Sequence, residues 1–219
     1  MRFLPAIVGL LPLVSAYYHD FPDTEFEPEP FHVVDLETAS RPTIEQAAVQ
    51  ARRVVRREKI GTLSTVFQNG APDGLEGSPI ALMDYYADCS DDGSPALLGF
   101  KIAMNFRNVE QGSAISLSIR QHKPMGEFFS PAAHHRLSLI GKLEKVDADS
   151  DEAEELKKCY IRRHPDAKWW TPGNKIHDSY WVKFKVEKVY WIGGFGNVQQ
   201  IGCIITFTIS LPFIILTQL

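Results

Sequence analysis

Residues 113–120 read Ser-Ala-Ile-Ser-Leu-Ser-Ile-Arg, and this stretch decides the fold class. Apolar and polar side chains alternate strictly from Ile115 to Arg120. Successive side chains of a β-strand point to opposite faces of the sheet, so the alternation predicts a strand with one buried face and one face in water. Strands of this kind are typical of antiparallel sheets.

The segments on either side extend this pattern into a chain of strands with a few helices. Helices are predicted from Thr43 to a stop at Gly61, where Thr43 and Gln46 have the spacing of a capping box, and at residues 105–111 and 150–163. Gly141 predicts a kink or bulge in the strand that contains it. Further strands are predicted at residues 61–67, 78–87, 96–104, 134–146 and 180–192.

The predicted element order, α-β-β-β-α-β-β-α-β, defines the fold class. It is an α+β fold that is mainly β, with a few helices flanking the strands. Five or six mostly antiparallel strands favour a closed barrel, because closure removes exposed strand edges. Periodicity alone also allows a β-sandwich or an open α+β sheet.

Composition excludes several classes of function. The chain has 219 residues, 44% of them hydrophobic, which suits one globular domain with tails. A formal net charge of -4 does not favour a nucleic-acid partner.

The adjacent His134 and His135 would point to opposite faces of a strand, so no metal site is predicted. No serine has the Gly-x-Ser-x-Gly setting of a hydrolase nucleophile.

The N-terminal region has the features of a targeting signal followed by an extended arm. Arg2 precedes a short apolar run that ends in small residues at Ala16, as in a cleaved signal peptide at residues 1–16. The run is short for an uncleaved anchor. Residues 17–42 are acidic and rich in proline, which predicts an extended arm. The protein is therefore expected to be secreted or to reside in an endomembrane or vacuolar lumen.

The C-terminal tail, residues 198–219, follows the predicted domain at residues 43–197. From Ile201 to Leu219 it carries no charge. Its length approaches the roughly 20 apolar residues that span a bilayer, so a tail anchor is one interpretation. The spacer is too short for a lipid-anchor signal. A third interpretation, a segment that is not a native part of the domain, is favoured slightly by Pro212 and by the absence of a basic stop sequence.

Three cysteines leave the disulfide state open. Cys89 and Cys159 are the two that lie inside the predicted domain, and Cys203 lies in the tail. An oxidising compartment would permit one disulfide between the first two. Pairing depends on a distance that the sequence does not give.

Several segments together resemble the CREG family, a branch of the pyridoxamine 5′-phosphate oxidase-like split β-barrels. Their order and spacing carry the resemblance, since no single piece is specific. It covers roughly residues 43–196. The segments are AR at 51–52, GTLST at 61–65, GSP at 77–79, MNFRNV at 104–109, LIGKL at 139–143 and RHPDA at 163–167.

The resemblance implies an FMN-binding type of split barrel that forms a homodimer. In the oxidase relatives the flavin lies in the dimer cleft, with its phosphate held by basic and hydroxyl side chains. The CREG branch has largely lost flavin, so we expect no cofactor, and FMN if one is bound. The residues that would hold FMN are Ser64, Thr65, Ser78, Lys101 and Arg107.

These observations predict a secreted or luminal CREG-like protein that acts as a binding module without catalysis. One alternative is an FMN-dependent oxidoreductase, for which catalytic residues are not identified. Five residues separate Lys101 from Arg107, which makes a poor phosphate cradle. A second alternative is a surface protein anchored in a membrane, which requires the tail to insert. The substrate or partner is not specified by the sequence.

Overall fold

A computed structural model describes residues 42–72, 74–122, 131–174 and 177–194, together with the backbone of residues 198–201. The predicted signal peptide (1–16), residues 17–41 of the predicted arm and residues 202–219 of the tail lie outside the described residues. Within the described part of the chain, no helix is long and apolar enough to cross a membrane.

The described residues of the domain form three α-helices and seven strands, in the predicted order with one strand added at the end. The helices are α1 (Ile44–Arg57), α2 (Met104–Glu110) and α3 (Asp151–Arg163). The strands are β1 (Ile60–Val66), β2 (Pro79–Asp88), β3 (Pro95–Phe100), β4 (Ile115–Arg120), β5 (His135–Lys145), β6 (Ser179–Gly193) and β7 (Val198–Ile201). The prediction ended the domain at residue 197, whereas β7 continues the sheet into the first four residues of the predicted tail.

All strand pairs are antiparallel, and the sheet closes on itself. The strand order is β3-β2-β1-β4-β5-β6-β7, and β3 also pairs with β6, which closes a six-stranded barrel from β1 to β6. The long β6 pairs with β3 through residues 179–183 and with β7 through residues 189–192. The mainly β split-barrel fold predicted from the sequence is therefore confirmed.

The barrel interior contains the apolar half of each alternating strand. Leu63, Leu117, Leu139 and Trp191 are completely or almost completely buried, and α1 packs its own apolar face against this core. Burying each large apolar side chain stabilises the fold by about 1.5–3 kcal/mol. The predicted capping box of α1 is present: the Gln46 amide N–H donates to the Thr43 hydroxyl, and the Thr43 amide N–H donates to the Gln46 side chain.

A bulge at Gly141 lets β5 and β6 curve around the barrel. The register of the two strands shifts between Ile140 and Gly141, as the sequence predicted. A Cβ atom at position 141 would overlap the backbone carbonyl of Lys185, so glycine is required by the close approach of the two backbones.

Helix α3 covers a second apolar cluster on the outer side of β2, β3 and β6. Leu98, Leu156, Tyr160 and Trp181 form most of this cluster. A disulfide joins Cys89 at the end of β2 to Cys159 in α3, with a Cα–Cα distance of 5.8 Å and a sequence separation of 70. The pairing that the sequence left open is thus formed in the structure. A link across a loop of this length stabilises a fold by about 4 kcal/mol in the chain-entropy estimate.

Arg163, at the end of α3, caps the C-terminus of α1. Its Nη2 donates to the backbone carbonyls of Arg56, Arg57 and Glu58 at 2.5, 2.5 and 3.0 Å. The last carbonyls of a helix have no partner within the helix and carry its negative dipole end, so a guanidinium there is favourable. Arg163 therefore connects two helices that are more than 100 residues apart in sequence.

His164 extends this connection to β2. Its Nε2 donates to the Tyr86 carbonyl at 2.9 Å, and its ring stacks on Tyr85 with centroids 4.4 Å apart. The Tyr85 hydroxyl donates to Asp166 at 3.0 Å. Burial lowers the pKa of His164, which favours the neutral ring that this packing requires. The motif at residues 163–167 therefore has a structural role: it fixes α3 against α1 and β2.

Replacing Arg163 with Met is expected to lower the free energy of unfolding by about 2 kcal/mol, because charge-assisted hydrogen bonds to three carbonyls are lost. Urea denaturation followed by circular dichroism measures this change. Arg162→Met is the matched control, since Arg162 is the exposed neighbour and its loss is expected to cost less than about 0.5 kcal/mol. Equal stability of the two variants would contradict the capping role.

Candidate functional site

The outer face of the sheet carries a groove of about 570 Å³, formed by β1, β4, β5 and the C-terminal half of β6. This volume lies within the range of small-molecule sites in proteins. The groove is lined by Ile60, Gly61, Thr62, Met83, Ser118, Ile119, Arg120, His122, Arg136, Leu137, Ser138, Tyr190 and Ile192.

The floor of the groove is a row of hydroxyl-bearing side chains across four neighbouring strands. Thr62 pairs with Ser118, Ser118 with Ser138, and Ser138 with Tyr190. The Ser118 hydroxyl donates to the Ser138 hydroxyl at 3.2 Å. Because the inward residues of each strand fill the core, strand alternation turns these polar residues outward. The row offers a set of small hydrogen-bonding groups to a flat ligand.

Two arginines lie side by side at one end of this row. Arg120 of β4 and Arg136 of β5 are direct cross-strand partners. The Arg136 Nη1 donates to the Ala132 carbonyl at 2.9 Å. Among the described residues, no carboxylate forms an ion pair with either guanidinium. Like charges directly opposite each other destabilise a sheet, so this end of the groove favours an anion between the two arginines.

Glu58 and His122 form the rim of the groove beside Arg120. The Glu58 carboxylate accepts from the His122 backbone N–H at 2.8 Å and from His122 Nδ1 at 2.6 Å. Its side chain is only 12% exposed. The His122 Nε2 atom lies 3.3 Å from Arg120 Nη2. The Glu58 carboxylate thus contacts the His122 imidazole, which in turn contacts the Arg120 guanidinium.

Apolar surface lies at both ends of the hydroxyl row, at Met83 and at the ring of Tyr190, and beside it at Ile60. Ile60, Met83 and Tyr190 are 41%, 77% and 42% exposed. Val66 and Ile140 are further exposed apolar residues on the same outer face. An apolar surface of this kind around a polar centre is typical of a binding or association surface.

The five residues predicted to hold a cofactor lie on β1, before β2, after β3 and on α2, and none of them lines the groove. Ser64 is on the outer face of β1, one alternation beyond Thr62, and Ser78 immediately precedes β2. Lys101 is exposed and forms an ion pair with Asp178 at 2.6 Å. This hydrogen bond raises the pKa of Lys101. Arg107 is exposed on α2.

Thr65 differs from the other four predicted residues, because its side chain is directed inward and is only 3% exposed. Its hydroxyl donates to Asn105 Oδ1 at 2.9 Å and accepts from Asn108 Nδ2 at 3.0 Å. Asn105 also donates to the Leu63 carbonyl. These bonds hold α2 against β1, so the two asparagines of the MNFRNV segment have a structural role here.

Arg120 and Arg136 were not singled out from the sequence as a site. Arg120 appears there as the polar end of the alternating strand, and Arg136 appears within another strand. The alternation gives the outward direction of Arg120, but the pairing of β4 with β5 places the two guanidiniums together. The sequence does contain a signal for this site. Two predicted strands that follow each other along the chain each carry an arginine at a polar position.

The described residues contain no group of three His, Cys, Asp or Glu side chains close enough to hold a metal ion.

A closed antiparallel barrel with an outer groove defines a protein of the split β-barrel class. A family model described as "CREG, beta-barrel" matches residues 42–208, and the chain belongs to this family. The resemblance found in the sequence segments is thus confirmed. No curated protein matches the chain.

Two solved structures with the same fold come from bacteria. A heme binding protein from Mycobacterium smegmatis is 22% identical with a TM-score of 0.60, over 78% of this chain and 61% of the bacterial one. A protein of unknown function from Agrobacterium tumefaciens is 23% identical with a TM-score of 0.53, over 71% and 59% of the two chains. The chain thus spans about six tenths of the length of these two proteins, and the likeness shows the fold.

Proposed function

We propose that this protein is a binding module whose groove accepts a flat, anionic cofactor of the flavin type, with FMN as the first candidate. The observation that supports this proposal is the direct cross-strand pairing of Arg120 with Arg136 in the groove. Neither guanidinium forms an ion pair with a carboxylate among the described residues. A bound phosphate would offset the repulsion between the two guanidiniums and accept their hydrogen bonds.

The remaining residues of the groove fit the rest of such a ligand. Thr62, Ser118 and Ser138 would hydrogen-bond the polar edge of a ring system, and Ile60 and Met83 would contact its apolar part. FMN, when bound, supplies the capacity to accept and donate electrons. The protein's own residues would orient the ring and hold its phosphate, and no catalytic step is needed for this function.

Heme is a second candidate, because the Mycobacterium smegmatis protein with this fold is described as heme binding. Its two carboxylates would also suit the paired arginines. Heme iron additionally needs an axial ligand, and haem proteins commonly use a histidine for this. His122, the histidine in the groove lining, already has both ring nitrogens engaged by Glu58 and Arg120. This arrangement favours a flavin.

An FMN-dependent oxidoreductase would use the same groove. This alternative differs from a binding module by turnover: an oxidoreductase would consume a reduced donor and oxygen, whereas a binding module would hold the flavin without turnover.

We further propose that the protein is a homodimer and that it works outside the cytosol. The dimer is supported by the exposed apolar side chains around the groove, which a second copy would cover.

Secretion or residence in a lumen is supported by the signal-like residues 1–16 and by the Cys89–Cys159 disulfide, since disulfides persist in oxidising compartments.

FMN binding tests the proposed ligand. We expect the double variant Arg120→Gln/Arg136→Gln to bind FMN at least about 100-fold more weakly than the natural chain, because two charge-assisted hydrogen bonds are lost and each contributes about 1.5–3 kcal/mol. Quenching of FMN fluorescence during titration gives the affinities. Lys101→Gln/Arg107→Gln is the matched control and is expected to bind as the natural chain does. A natural chain that ignores millimolar FMN, or a larger loss in the control, would contradict the proposal.

Dimer formation is tested at Met83, which is 77% exposed on the outer face of β2. Met83→Glu places a charge in the proposed interface and is expected to shift the protein to monomer in sedimentation velocity. Ile102→Glu is the control, since Ile102 is equally exposed at 79% but lies between β3 and α2. A natural chain that sediments as a monomer at micromolar concentration would refute the interface.

A further inference from the structure

Helices α1 and α3 are each acidic at the start and basic at the end. Helix α1 has Glu45 in its first turn and arginines in its last turn. Helix α3 has acidic residues in its first turn and Arg162 and Arg163 in its last turn. Because Arg163 donates to the last carbonyls of α1, the two basic ends meet, and the positive charge of both helices is collected at one place on the surface.

Exposed cations surround this junction of the two helices. Helix α1 buries Ala51, Val54 and Val55 against the core, so its arginines lie on the solvent side. Arg53 and Arg57 are one helical turn apart and are therefore neighbours on the helix surface. The exposed cations of the junction, which we name the basic strip, are Arg53, Arg56, Arg57, Lys59 and Arg162.

The carboxylates closest to the strip in sequence are engaged elsewhere. Asp88 forms an ion pair with Arg52, and its side chain is only 7% exposed. The Glu58 carboxylate contacts His122 at the groove. In the part of the chain that the structure describes, no carboxylate forms an ion pair with the exposed arginines Arg53, Arg57 and Arg162. These cations therefore form a positively charged surface on a chain whose formal net charge is -4.

The helix dipole does not account for all of these cations. It favours positive side chains in the last turn of a helix. Arg163 already donates to the last carbonyls of α1, and Arg53 lies a full turn before the end of this helix. Like charges at positions four residues apart destabilise a helix, so Arg53 and Arg57 oppose each other unless an anion lies between them.

We propose that the basic strip binds a polyanionic polysaccharide, whose sulfate or phosphate groups contact several of its cations at once. This site is separate from the groove and does not depend on the flavin. A single small anion gains little here, because an exposed ion pair contributes little in water. A polymer with many charges gains from each contact and releases its condensed counterions, so its affinity for the same surface is higher.

Two other polyanionic surfaces fit less well. Helices that lie on anionic membranes insert an apolar face beside their cations, whereas Val54 and Val55 are buried in the core. Nucleic acid has the charge, but the proposed location outside the cytosol brings the protein into contact with anionic glycans instead. The choice of a polysaccharide rests on that proposed location, and the basic strip itself does not.

Binding of a labelled heparin oligosaccharide to the full chain tests the strip. We expect Arg53→Gln/Arg57→Gln/Arg162→Gln to bind it at least about tenfold more weakly than the natural chain in fluorescence anisotropy, at about 0.1 M salt. The affinity of this triple variant is also expected to depend less steeply on salt, because fewer counterions are released. Its FMN affinity is expected to be unchanged, since these three residues lie outside the groove lining.

Lys142→Gln/Lys157→Gln/Lys158→Gln is the matched control. It removes the same net charge, but each of these lysines forms an ion pair with a glutamate. We expect it to bind heparin within about twofold of the natural chain, because distant surface charges are screened by salt. Melting curves check that both triple variants are folded. Equal losses in the two triple variants, or a natural chain that binds no polyanionic polysaccharide, would overturn the proposal.

Further ligands and one further variant identify the group that is bound and its position. Heparin and a phosphomannan distinguish sulfate from phosphate as the preferred group, and binding of either supports the proposal. Tighter binding of a DNA duplex, or of vesicles that contain anionic lipid, would overturn the choice of a polysaccharide. Arg120→Gln/Arg136→Gln is expected to bind heparin as the natural chain does, and a loss confined to this variant would place the polyanion in the groove and overturn the site. Failure of FMN binding alone would leave the strip unaffected.

Discussion

The pairing of β3 with β6 closes the sheet, and the arrangement of the whole domain follows from it. A closed sheet has one inner and one outer face, so every alternating strand must direct its apolar residues to the same interior. The polar residues of β1, β4, β5 and β6 are then collected on one outer surface. Most of the groove is formed by these outward positions, and His122, just after β4, completes it at one end.

Closure also places strict demands on a few residues. β6 has to pair with β5 along nearly its whole length while its other edge pairs first with β3 and then with β7. The bulge at Gly141 provides the local change of direction, since two backbones approach there too closely for any side chain. Arg163 and the disulfide at Cys159 fix α3 outside the barrel, where it covers the second apolar cluster.

Much of the fold could be predicted because its signals are local. The Thr43–Gln46 capping box, the alternation after Ser113 and the break at Gly141 are all properties of short segments, and each appears in the structure as predicted. Strand β7 was missed, because a short strand beside an apolar tail gives no alternation long enough to recognise. The pairing of Cys89 with Cys159 depends on how α3 packs on β2, which no local pattern reports.

The candidate site was harder to predict, for a physical reason. A phosphate site requires two cations at a particular distance, and in a sheet that distance is determined by strand order and register. Lys101 and Arg107 are near each other in sequence, but Lys101 pairs with Asp178 and Arg107 lies on a separate helix. Arg120 and Arg136 are 16 residues apart and become neighbours only when β4 pairs with β5.

The proposed function places the ligand in the outer groove rather than in the segment around Lys101. A crystal structure of the protein grown with FMN distinguishes these two positions. We expect electron density for the ring system over Thr62, Ser118 and Ser138, with the phosphate between the guanidiniums of Arg120 and Arg136. Density for the flavin beside Lys101 and Arg107, with the groove filled by solvent alone, would show that the groove is not the ligand site.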